Sequence, residues 1–131
     1  VWVSKLNNCD YCFDHHFGGL KMLLNDDDKS LKICQAIKSN KIEKAPLSKA
    51  QKIAMQYSEI LTKDPSKVSE AMIVELRDLG YTDGEILEIN QVTAYFSYAN
   101  RTVLGLGCST DGDIIGLSPG NSQDPNDWGH S

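Results

Sequence analysis

The chain has 131 residues, of which 40% are hydrophobic and 24% charged. That is the make-up of one globular domain, long enough to bury roughly two thirds of its unfolded surface, and it excludes a disordered chain. A net charge of −5 without a Lys/Arg cluster argues against nucleic acid and against an anionic membrane surface as partners. No apolar run approaches the roughly 18 residues of a membrane span, and none has the layout of a signal peptide.

Val1 to Leu6 are apolar and compatible with a helix but lack an N-cap, so they read as the end of a helix whose beginning is absent. Asn7 and Asn8 break it. A second helix is expected from Cys9-Asp10 to about Leu24, with Tyr11, Phe17, Leu20 and Leu24 at helical spacings. The run Asn25 to Asp28 ends it and caps a short helix over Leu31, Ile33, Cys34 and Ile37. Pro46 marks a linker. Ser48 and Gln51 fit a capping box ahead of Ile53, Ala54, Tyr57, Ile60 and Leu61, and Pro65 stops that helix. Ser69 caps the next, which carries Ala71, Met72, Val74, Leu76 and Leu79 and ends at Gly80. Thr82 and Glu85 form a second capping box, opening the longest helix, about Asp83 to Leu104. No strand pattern stands out. The expectation is an all-α protein of about five helices over residues 1–107, followed by an irregular, extended tail over 108–131.

The chemistry is concentrated in Cys9-Asp10-Tyr11-Cys12-Phe13-Asp14-His15-His16. Two Cys at i and i+3 at a helix start share a face and lie close enough for a disulfide. The unpaired N–H groups and dipole of a helix N-terminus also favour thiolate. His16 falls one turn beyond Cys12 on the same face and His15 falls nearly as close. Either imidazole can take or relay a proton, and geometry alone does not choose between them. The motif admits a structural disulfide or two buried thiols. Zinc is a second reading, since the ligand types are present, but four ligands from one short helical stretch converge poorly on a tetrahedron. A thioredoxin-type site needs a βαβ context that this chain lacks. A redox dithiol on an all-α scaffold remains.

The run Cys9-x-x-Cys12-x-x-His15-His16, preceded by Ser4-Lys5-Leu6-Asn7, resembles the signature of the alkylhydroperoxidase AhpD-like superfamily, within the carboxymuconolactone decarboxylase family. Later segments are similar to its peroxidase-related branch: Leu47-Ser48 with Ala54, Tyr57 and Leu61-Thr62, then Leu79-Gly80 and Asp83 to Ile89. Ala94-Tyr95-Phe96-x-Tyr98-x-Asn100-Arg101 and Gly105-Leu106-Gly107 complete the pattern. The resemblance implies an AhpD-like helical bundle and a thiol-dependent peroxidase acting on hydrogen peroxide or organic hydroperoxides. It makes Cys12 the peroxidatic thiol, Cys9 the resolving thiol and His16 the proton relay, with His15 in support. A relay Glu would stand upstream of residue 1. It further implies an external dithiol reductant, a homo-oligomer, and no cofactor or metal. A redox-active CxxC without a signal peptide suits the reducing cytosol, so a cytoplasmic protein is expected. Two other functions stay open: a non-catalytic redox-sensing or assembly protein, and a lactone decarboxylase, which needs no redox dithiol.

Outside the motif, Cys34 reads as a small buried hydrophobe, and Cys108 as a structural residue, either a surface thiol or a tail anchor. Asp10 and Asp14 read as first-turn charge or as orienters of a His ring, and Tyr11 and Phe13 as packing residues. Tyr95, Tyr98, Asn100 and Arg101 are expected in the core, at a subunit interface or on a wall of the site, with Asn100 roughly opposite Tyr98. Ile114, Ile115, Leu117 and Trp128 are expected to let the tail wrap a neighbouring subunit. His130, one residue from the end, reads as a disordered tail residue, whereas Trp128 beside it points to a tail that docks.

Overall fold

A computed structural model describes residues 1–113 together with 115 and 116. Six α-helices follow in order: α1 Trp2–Leu6, α2 Asp10–Leu24, α3 Asp27–Lys38, α4 Lys49–Lys63, α5 Glu70–Asp78 and α6 Asp83–Leu106. Among the described residues there is no strand, as the periodicity predicts. Two 3₁₀ turns, Ile42–Lys44 and Pro65–Lys67, stand where the sequence offered only a linker at Pro46 and a helix stop at Pro65. No helix is long and apolar enough to cross a membrane among the described residues. The calls on Ile114, Leu117, Trp128 and His130 lie outside the described residues.

The helix boundaries follow from local chemistry. Asp26 caps α3 by accepting Lys29 N–H at 2.9 Å. Ser48 and Gln51 exchange bonds of 3.1 and 2.9 Å at the start of α4, and Thr82 and Glu85 exchange bonds of 3.2 and 2.7 Å at the start of α6. Each capping box satisfies donors that the first turn leaves free. Ser69 stands at the N-cap of α5 as expected, yet its hydroxyl makes no capping bond. Beyond α5, Gly80 takes φ +98°, a left-handed turn that lets Tyr81 N–H return to the Leu76 carbonyl at 3.2 Å.

The apolar faces meet in two clusters. One gathers Trp2, Phe13, Ile33, Ile37 and Ile42 from α1 to α3 and the turn beyond, with Leu6, Phe17 and Leu20 against it. The other gathers Ala54, Tyr57, Leu76 and Ile86 from α4 to α6. Short α1 packs on α2, α3, α4 and α6. Trp2 Nε1 donates to the Met55 carbonyl at 3.1 Å, tying α1 to α4. The chemistry-bearing motif therefore begins directly after a short helix that packs against four others.

Candidate functional site

Cys9 is the N-cap of α2 and Cys12 lies in its first turn. The chain reaches Cys9 through Asn7 and Asn8, and Asn8 adopts φ 55°, a left-handed conformation that Asn tolerates. Cys9 N–H then donates to the Ser4 carbonyl at 2.9 Å, folding the turn back on α1. Both thiols are buried, Cys9 at 0% and Cys12 at 5% exposure, and Cys9 Sγ donates to Cys12 Sγ at 2.6 Å. Both cysteines are free. Their contact puts a disulfide within a small adjustment.

The expectation that the helix N-terminus favours thiolate meets an exception at Cys9. Burial, and the bond it donates to Cys12, push the Cys9 thiol up to about 11. Desolvation opposes a buried thiolate more strongly than the Cys12 backbone N–H supports one. Cys9 thus keeps its proton at neutral pH.

His15 and His16 leave α2 in different directions. His15 Nε2 lies 3.1 Å from Asp113 Oδ2, in the segment after α6, and its ring stands 4.7 Å from that of Tyr11. His16 rests edge-on against Phe96 of α6, ring centroids 4.6 Å apart. Partial burial pushes the His16 imidazole below the ordinary histidine range, with His15 adding to the shift. It is neutral at pH 7 and able to accept a proton. Among the described residues neither histidine hydrogen-bonds to a thiol. The structure therefore joins Cys9 to Cys12 and gives the two imidazoles separate partners, Asp113 for His15 and Phe96 for His16.

Asp113 escaped the sequence reading, which looked to Asp10 and Asp14 for an orienting carboxylate; Asp10 is exposed, and neither bonds a histidine. The signal was weak because Asp113 lies 98 positions from His15. Gly18, one turn beyond, completes this seam: a Cβ there would stand 3.2 Å from Ile115 Cγ2 and 3.3 Å from Gly116 Cα. The segment after α6 thus crosses α2 where a side chain is missing. Burial and the Asp113 carboxylate together raise the Tyr11 hydroxyl.

Phe13 is buried and stacks on Phe17 at 5.8 Å, as a packing residue should. Cys34 is half-buried against the first cluster, and Cys108 is an exposed surface thiol. Tyr95 and Tyr98 are 60% and 68% exposed, so a core position is excluded for both within this chain. They project from α6 away from the face that packs inward. Arg101 is also exposed and donates to the Ser97 carbonyl at 2.6 Å. Asn100, opposite Tyr98 as its spacing predicts, is fully buried. Among the described residues no three His, Cys, Asp or Glu side chains are arranged to hold a metal ion.

No protein-family profile matches this chain, and no curated protein does. A solved structure does: that of an uncharacterized peroxidase-related protein from Silicibacter sp. TM1040, with 26% sequence identity and a TM-score of 0.74 over 82% of this chain. The match covers 54% of that protein, so this chain spans about half the length of the structure it resembles. The chain has an AhpD-like helical fold, shared with that protein.

Proposed function

We propose that this protein is a thiol-dependent peroxidase in which Cys9 and Cys12 cycle between dithiol and disulfide. The observation that carries the reading is the buried contact of the two sulfurs, 2.6 Å apart at the start of α2, with two imidazoles on the next turn. The peroxidase-related neighbour supports it.

In this cycle Cys12 loses its thiol proton, and the thiolate attacks the terminal oxygen of a hydroperoxide. The O–O bond breaks, Cys12 becomes a sulfenic acid, and the alkoxide takes a proton to leave as an alcohol. Cys9 then attacks Cys12 Sγ. Its proton leaves with the hydroxyl as water, and the Cys9–Cys12 disulfide forms. An external dithiol returns two electrons and two protons and is itself oxidised to a disulfide. A neutral His16 accepts the Cys12 proton at the outset, and His15, held by Asp113, supports it. A cycle that ends with reduced thiols suits the cytoplasm.

The protein acts as a homo-oligomer in this proposal. Val92, Tyr95 and Tyr98 are each more than half exposed along α6 and offer an apolar face for a second copy. Sedimentation velocity gives a mass above that of one chain if this holds, and a single-chain mass rejects it.

A second reading is a redox switch without turnover. It is favoured by the burial of both thiols and by a Cys9 that resists ionisation. Hydroperoxide-dependent consumption of dithiothreitol separates the two. Sustained consumption, proportional to enzyme and lost in Cys12→Ser, supports the peroxidase. A single stoichiometric oxidation followed by arrest supports the switch.

A further inference from the structure

An amide buried as deeply as that of Asn100 destabilises the fold unless its polar atoms are partnered. Here Oδ1 accepts from Asn7 Nδ2 at 3.1 Å, and Nδ2 donates to Ser4 Oγ at 3.2 Å. The two partners stand at the start of and within the turn that delivers Cys9. Ser4 is itself fully buried, and its carbonyl receives the Cys9 N–H. One residue of α6 thus holds, through the side chains of Ser4 and Asn7, the turn that decides where α2 begins. An apolar side chain of similar volume fills the same space without fixing that turn. One turn earlier on α6, Phe96 supports His16, so a single helical stripe reaches both parts of the motif.

We propose that Asn100 is a positioning residue for the dithiol: it clamps the Ser4–Cys9 turn and thereby holds Cys9 Sγ against Cys12 Sγ. The inference rests on reading the two cysteines as a redox pair, but not on hydroperoxide as their oxidant. Closing a disulfide inside a fixed turn is an intramolecular step, and its effective molarity falls when one sulfur gains freedom. Asn100 touches neither sulfur, and its action runs through the backbone.

The test uses glutathione. The protein dithiol reacts with one oxidised glutathione to give the Cys9–Cys12 disulfide and two reduced glutathiones. Wild type, Asn100→Ala, Asn7→Ala and Thr93→Ala are equilibrated over a series of glutathione ratios, quenched in acid and mapped by peptide mass. Asn100→Ala is expected to need about tenfold more oxidising conditions for half-formation of the disulfide, and Asn7→Ala a smaller shift in the same direction. Thr93 is the control, buried on the same helix and bonded to Ser58 Oγ at 3.1 Å. Its variant is expected to lose thermal stability and keep the wild-type redox equilibrium. A folded Asn100→Ala with the wild-type equilibrium overturns the proposal, and so does an equal shift in Thr93→Ala. Should Asn100→Ala fail to fold, Asn7→Ala decides, and an unchanged equilibrium there is the refuting result. Wild-type thiols that stay reduced at every ratio reject the redox pair itself, a failure distinct from that of Asn100.

Discussion

Around Leu76, α4, α5 and the first half of α6 close on Ala54, Tyr57 and Ile86; around Phe13, α1 to α3 close on Trp2, Ile33 and Ile37. The first region is organised by neighbours in sequence, with a capping box at the head of α4 and of α6 and a left-handed Gly80 at the tail of α5. The second is tied down from far along the chain. Asn7 and Ser4 bond Asn100 across 93 and 96 positions, and His15 meets Asp113 across 98. The contrast separates stability from chemistry. Local signals make helices, whereas the polar contacts that span 93 to 98 positions converge on the cysteine motif and the turn before it.

Substitution should divide along the same line. The largest effect is expected at the thiols: Cys12→Ser abolishes hydroperoxide reduction, while Cys9→Ser performs one turnover and leaves a trappable sulfenic acid on Cys12. Both variants keep wild-type far-UV circular dichroism. The reverse assignment of the two phenotypes would exchange the roles of the cysteines. In the other region, Leu76 is fully buried, and Leu76→Ala should cost about 3 kcal/mol in urea unfolding. The Cys9–Cys12 glutathione equilibrium should stay unchanged. A redox shift in that variant would erase the distinction between the regions.

The local half was readable because capping residues, apolar periodicity and glycine act over three or four positions. The reading expected about five helices where the structure has six, and it put the two cysteines together at the start of α2. It missed the 3₁₀ turns, whose short hydrogen-bond pattern leaves little periodicity. It also missed Asp113, since no residue near Asp113 in sequence announces a histidine brought to it by folding. Asn100 carried a correct direction, opposite Tyr98, without a partner; its bonds to Ser4 and Asn7 required the fold. The thiolate expectation failed at Cys9 because burial is a tertiary property that helix position does not report.

A smaller effect concerns pH. The folded Cys9 thiol is held up to about 11 against an ordinary 9.0, so the native state keeps a proton that the unfolded chain releases. Its stabilising contribution is complete below pH 9 and is lost as pH rises from 9 toward 11. Urea midpoints in wild type should fall over that window more steeply than in Cys9→Ser; equal slopes would count against the buried, protonated thiol. Smallest of all is the difference between the imidazoles. His16→Ala is expected to slow alkylation of Cys12 near neutral pH a few-fold, and His15→Ala less. A larger effect in His15→Ala would move the relay to the His15–Asp113 side.

The most direct test of the dithiol cycle is the mass of the intact, reduced protein before and after one equivalent of an organic hydroperoxide, followed by peptide mapping. The expected result is the loss of two hydrogen atoms, mapped to a Cys9–Cys12 bond and reversed by dithiothreitol. Thiols left unmodified at both positions would contradict it.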